Sequence, residues 1–127
     1  MNASVLPTAK ATVFVVDDEV PLLDLAVAIL GPVGCVVKTF SDPEQALAAF
    51  LDARPVVLLT DYAMGRMNGM DLIRECRRLN PSQKVILISG TVDGRIFADS
   101  PVKPDMFLAK PYHAQELIGC VRKLMAG

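Results

Sequence analysis

Val13-Phe14-Val15-Val16-Asp17-Asp18-Glu19 reads as a buried strand that runs directly into an acidic turn. Three valines and a phenylalanine with no polar alternation need cover on both faces, the condition of a strand inside a parallel sheet. The same pattern returns along the chain. Val56-Val57-Leu58-Leu59 ends in Thr60-Asp61, Val85-Ile86-Leu87-Ile88 ends in Ser89-Gly90, and Met106-Phe107-Leu108-Ala109 ends in Lys110-Pro111. A weaker strand is expected over Val36 to Phe40.

Segments of helical period lie between these runs. Pro21 suits a first helical turn, and Leu22, Leu25, Ala26, Ile29 and Leu30 follow the spacing of one buried stripe until Gly31-Pro32 stops it. Ser41 followed three residues later by Glu44 predicts a capping box for a helix carrying Ala46, Leu47 and Phe50. Leu72, Ile73, Cys76 and Leu79 mark a third helix closed by Asn80-Pro81, and Leu117, Cys120, Val121 and Leu124 mark the last. Between Thr91 and Pro104, Gly94, Pro101 and Pro104 leave room only for a short helix near Gly94 to Ala98. Strands alternating with helices predict an α/β fold of five parallel strands and five helices, the fourth short or irregular.

The bulk composition narrows the function. At 127 residues, 52% of them hydrophobic, the chain is the size of one domain with a real core. Residues 1–11 are expected to be a flexible leader and residues 12–127 the domain. Thirteen basic against 14 acidic residues give a formal charge of -1, which offers no broad basic surface for direct nucleic-acid binding. Cys35, Cys76 and Cys120 form no CxxC pair and leave one unpaired in any disulfide scheme, which fits a reducing cytoplasm and small buried hydrophobes. No signal peptide is legible, and the apolar tract Leu22 to Val37 is broken by Gly31, Pro32 and Gly34, so no membrane insertion is expected.

In an open parallel sheet the carboxyl ends of all strands lie along one edge, where ligands bind. Asp17 and Asp18, Asp61, Ser89 and Lys110 therefore converge: three carboxylates faced by a hydroxyl and an ammonium. Two carboxylates about 4 Å apart repel by roughly 4 kcal/mol at an effective dielectric of 20, so three together call for protonation or a cation. A hard divalent ion answers best, since Mg²⁺ takes oxygen ligands and typically one or two carboxylates plus a substrate phosphate. A carboxylate there is a candidate nucleophile for an aspartyl phosphate. Lys110 would neutralise phosphoryl oxygens and Ser89 would donate a hydrogen bond to one.

The acidic pair in VVDDE, the TDYAMGRMNG segment, the ILISG segment and the LAKP segment resemble the motifs of bacterial two-component receiver domains, in the same order and across nearly the whole chain. The resemblance implies a three-layer flavodoxin-like sandwich with strand order 2-1-3-4-5. It implies Asp61 as phosphoacceptor, Mg²⁺ (or Mn²⁺) held by Asp17, Asp18, Asp61 and the Ala63 carbonyl, and a cis bond before Pro111. Ser89 and Phe107 take the family's switch positions. The implied partners are a sensor histidine kinase or a histidine phosphotransfer protein upstream and an unnamed protein target downstream, in the cytoplasm. The domain would then be no enzyme beyond its own phosphorylation and dephosphorylation. No effector domain is legible up to Gly127, so the expected output is a protein contact, a relay step to a histidine phosphotransfer protein or an effector outside this sequence.

Simpler readings compete at several positions. Asp17-Asp18 alone would suit a helix N-terminus, and only Asp61 and Lys110 make it a site. His113, the single histidine, reads as a surface residue of a first turn, and Met64, Met67 and Met70 as loop packing. Between Pro21 and Leu30 only Asp24 is polar, so Leu23 and Val27 extend the apolar surface, either as extra packing or as a docking patch for a partner helix. Two departures from the family stand out: Gly65 where proline is common, and Ala63, which cannot orient an attacking water and so predicts a long-lived phosphoryl group. Rival readings are a phosphatase of the haloacid dehalogenase type, in which Glu19 stands where a second aspartate is wanted, and a flavin- or nucleotide-binding module, for which no GxxxxGK or GxGxxG loop is present. A structural pseudo-receiver is opposed by intact Asp17, Asp18, Asp61 and Lys110.

Overall fold

The computed structural model describes residues 10–90 and 98–126. The expected leader falls almost wholly outside them, as does the short helix expected near Gly94 to Ala98 apart from its last residue. The described chain runs β1 (Thr12–Val16), α1 (Val20–Leu30), a 3₁₀ turn (Gly31–Val33), β2 (Val36–Phe40), α2 (Pro43–Ala53), β3 (Val57–Asp61), α3 (Gly69–Leu79), β4 (Lys84–Ser89), β5 (Met106–Ala109) and α4 (Ala114–Ala126). All neighbouring strands pair in parallel, in the order β2-β1-β3-β4-β5. This is the expected sheet.

Strand periodicity divides the interior in two. Val13 and Val15, Val57 and Leu59, and Ile86 and Ile88 face one way and pack with Leu23, Ala26 and Leu30 of α1 and Leu117 and Val121 of α4. Phe14 and Val16, Leu58, and Val85 and Leu87 face the other way, against Ala46 and Phe50 of α2 and Leu72, Ile73 and Cys76 of α3. The central strands are buried on both faces for this reason, whereas β2, at the sheet edge, exposes Val36, Lys38 and Thr39. With α1 and α4 on one face and α2 and α3 on the other, the sheet's carboxyl edge is left as the place for polar groups.

Two local expectations are corrected. The buried stripe of α1 is Leu23, Ala26 and Leu30, while Leu25 and Val27 stand 43% and 42% exposed. Leu23, for which extra packing and a docking patch were both open, is therefore a core residue. The helix is apolar almost all round, so periodicity allows several overlapping stripes, and packing against the sheet selects the one containing Leu23. At α2 the N-cap is Asp42 rather than Ser41. Pro43, with its fixed φ and no N–H, occupies the first helical position, and Asp42 Oδ1 accepts the Glu44 N–H at 2.9 Å.

The α1 correction is testable by thermal or urea unfolding. Leu23→Ala should cost about 2–5 kcal/mol, the range for truncating a buried leucine, whereas Val27→Ala should stay within about 0.5 kcal/mol.

Candidate functional site

Each polar residue at the carboxyl edge is fixed by backbone before its side chain acts. The Asp17 N–H donates to the Phe40 carbonyl at 3.0 Å, so residue 17 continues the β1–β2 ladder. Its Oδ1 accepts the Glu19 N–H at 2.9 Å, closing the turn into α1. Asp61 is the last residue of β3, opposite Ile88, and the Tyr62 N–H donates to the Ile88 carbonyl at 2.8 Å. Ser89 ends β4 opposite Ala109, and the Lys110 N–H donates to the Ser89 carbonyl at 2.9 Å. The Lys110-Pro111 bond is cis, as expected.

These anchors bring one ammonium between two buried carboxylates. Lys110 Nζ lies 3.1 Å from Asp61 Oδ1 and 3.2 Å from Asp17 Oδ2, with Glu19 Oε2 at 3.6 Å. Asp17 and Asp61 are each only 5% exposed. Asp18 and Glu19 are exposed, and among the described residues Asp17, Asp18 and Glu19 can each bring one carboxylate oxygen within 4.8 Å of the others. Asp17 thus belongs to both groups: the acidic triplet, and the lysine bridge that reaches Asp61. Ser89 is buried, Ala63 is exposed on the loop after Asp61, and Phe107 is half-buried, opposite Leu87 and packed against the α2–α3 core.

The family model for the response regulator receiver domain matches residues 13–122, a span that contains the whole of this edge. The chain belongs to that family. The receiver is 32% identical over 116 residues to the probable transcriptional regulatory protein TcrX of Mycobacterium tuberculosis, covering 90% of this chain and 49% of TcrX. It therefore spans about half the length of that relative. It is also 32% identical over 118 residues to protein PilG of Pseudomonas aeruginosa, covering 87% of this chain and 84% of PilG. A solved receiver domain from Clostridium thermocellum superposes with a TM-score of 0.83 at 29% identity, covering 91% of this chain and 94% of that one. No described helix of the receiver is long and apolar enough to cross a membrane.

The remaining expectations sort by burial. Met64 and Met70 are core residues and Met67 packs against the same cluster. His113 is exposed, its N–H donating to Glu116 at the start of α4. The three cysteines are free; Cys35 and Cys76 are buried, Cys120 partly so, and burial together with the Glu75 charge pushes the Cys76 thiol up to about 12. Two site residues escaped the sequence reading. Glu19, which the sequence places only in the acidic turn and at the position where the rival phosphatase reading wants an aspartate, brings its carboxylate to 3.6 Å from Lys110. Gly69 opens α3 directly against the site: a Cβ there would collide with the Asp61 carbonyl oxygen and meet Leu87 Cδ1 at 2.9 Å. The Asn68…Asp71 pair that caps α3 was the available sign that a helix begins at Gly69.

Burial pushes the Asp61 carboxyl above its ordinary range; the Lys110 hydrogen bond opposes this and the Asp17 charge adds to it. For Lys110, burial works downward, but its bonds to Asp61 and the charges of Asp17 and Asp61 carry it above the ordinary range. An Asp61 carboxyl that holds its proton more tightly when folded favours folding at low pH and costs stability as pH rises through its raised pKa. Asp61→Asn should therefore raise the melting temperature at neutral pH, with the gain shrinking as pH falls toward the ordinary carboxylate range. Melting curves across that window check the sign.

Proposed function

We propose that this receiver accepts a phosphoryl group on Asp61 from a histidine kinase or a histidine phosphotransfer protein, with Mg²⁺ bound, and that the new charge switches a protein-binding surface. The observation that carries this reading is the single ammonium of Lys110 held 3.1 Å and 3.2 Å from two nearly buried carboxylates, Asp61 and Asp17. In the transfer, an Asp61 carboxylate oxygen attacks phosphorus and the P–N bond of the donor phosphohistidine breaks. The electron pair returns to the ring nitrogen, and an acyl phosphate forms on Asp61. Lys110 compensates the negative charge that accumulates on the phosphoryl oxygens. The Ser89 hydroxyl, at the end of the adjacent strand, supplies a hydrogen bond to one of them.

The donor set suits a hard cation. Asp17, Asp18 and Glu19 offer only oxygen, and among the described residues Lys110 is the cation that bridges Asp17 to Asp61. Asp17, Asp18, Asp61 and the Ala63 carbonyl are the residues that would hold Mg²⁺ or Mn²⁺. Such an ion, when bound, supplies charge neutralisation for the carboxylates and the phosphoryl oxygens. The switch is read as a two-state equilibrium in which the phosphoryl group engages Ser89 and Lys110 and reorients Phe107, which stands three residues before Lys110 on β5. Moving such an equilibrium from 1:99 to 99:1 takes about 5.5 kcal/mol of differential interaction. The receiver turns over nothing but its own Asp61 modification. Val27, exposed on α1, is the remaining candidate for contact with the phosphodonor protein.

Incubation with acetyl phosphate and Mg²⁺ should add one phosphoryl mass to the intact protein, and Asp61→Asn or chelation should abolish it; a labelled Asp61→Asn protein would contradict the reading. Because Ala63 has no side chain to orient water, the phosphoryl group should persist for minutes or longer in a phosphate-release assay, and a lifetime of seconds would refute that point. Val27→Lys should slow transfer from the cognate phosphodonor protein while leaving acetyl phosphate labelling unchanged.

A further inference from the structure

Among the described residues, β5 is the shortest strand of the sheet. It has four residues, pairs only with β4, and carries Phe107 while leading directly into Lys110. At the site end it is held by the bond from the Lys110 N–H to the Ser89 carbonyl. At the other end a longer backbone ladder is blocked, because Pro104 has no N–H to donate. The ladder is finished by a side chain instead. The Asp105 N–H donates to the Val85 carbonyl at 3.0 Å, and Asp105 Oδ2 accepts the Val85 N–H at 2.7 Å.

The same oxygen accepts Arg77 Nη2 at 2.8 Å. Arg77, in the last turn of α3, also donates from Nε to the Gln83 carbonyl at 3.2 Å and from Nη1 to the Lys103 carbonyl. Its side chain is 17% exposed and that of Asp105 29%, so the pair lies at the surface but is partly shielded from solvent. One planar guanidinium therefore joins α3, the entry to β4 and the entry to β5, and a lysine could not reproduce that fork.

We propose that Arg77 and Asp105 are positioning residues for the phosphoryl-transfer site, fixing the register of β5 on β4 so that Lys110 reaches both Asp61 and Asp17. The inference rests on the assignment of Asp61 as phosphoacceptor. Arg77 and Asp105 touch none of the reacting groups. They act through the backbone of β5, and a small slip of that strand would draw the ammonium off two carboxylates at once. A misplacement of about 1 Å far from the chemistry can lower a rate on the order of 100-fold.

The test compares wild type with Arg77→Met, which keeps the packed stem of the side chain and removes the fork, and Asp105→Asn, which keeps an acceptor for Val85 and removes the charge. Arg74→Met, one turn earlier on the same helix and paired among the described residues with Asp71, controls for loss of a positive charge. Labelling by acetyl phosphate at saturating Mg²⁺ should slow about tenfold or more in Arg77→Met and Asp105→Asn, at a temperature where melting curves show each fully folded, and stay unchanged in Arg74→Met. Amide exchange over Met106 to Ala109 should rise about tenfold, the scale of one charge-assisted hydrogen bond, with β1 and β3 unaffected. The Arg77→Met/Asp105→Asn double variant should be less than additive. If Arg77→Met does not fold, Asp105→Asn alone decides. Equal labelling rates in wild type and folded variants overturn the clamp while the assignment of Asp61 stands; a wild type that takes up no label overturns that assignment, and the role of the clamp with it.

Discussion

One ammonium shared by two carboxylates that are almost out of water is the interaction on which the carboxyl edge depends. Removed from solvent, Asp17 and Asp61 repel one another, and the raised pKa of Asp61 registers that burial and repulsion outweigh what Lys110 returns. The edge thus gathers two nearly buried carboxylates on a single ammonium. Stability alone would not favour such a cluster, since a buried ion pair is often no better than a packed apolar core.

The rest of the fold holds those three side chains in place from three different strands. β1 and β3 are central, covered on both faces, and rigid by packing, so Asp17 and Asp61 stand on the firmest parts of the sheet. Gly69 lets α3 press against the backbone that carries Asp61, and the Asn68–Asp71 capping box fixes where that helix starts. Lys110 alone arrives from an edge strand. Two carboxylates thus stand on central strands, and the lysine they share follows a short edge strand.

Much of this is legible in the sequence. Apolar runs without alternation marked the central strands, and the polar residue following each one marked the edge, because a parallel sheet leaves little choice about where those residues meet. The order of the strands came from family resemblance rather than from periodicity, which says nothing of which strand lies beside which. The sequence failed where a pattern permits more than one solution. Helix α1 is apolar nearly all round, so its period could not say that Leu23 faces the core, and the Ser41–Glu44 spacing points to a cap one residue early because it does not register that Pro43 opens the helix. Long-range partners were also hidden. Nothing local in Glu19, Arg77 or Asp105 tells that one would approach Lys110 or that the other two would meet across 28 residues of chain.

The most direct measurement is a crystal structure of the receiver with Mg²⁺ and beryllofluoride, which stands in for the phosphoryl group. The adduct should sit on an Asp61 carboxylate oxygen, with Lys110 Nζ in hydrogen-bond contact with one fluoride and the cation among the oxygens of Asp17, Asp18 and Asp61. An adduct on any other residue, or a Lys110 side chain turned away from it, would contradict the central claim.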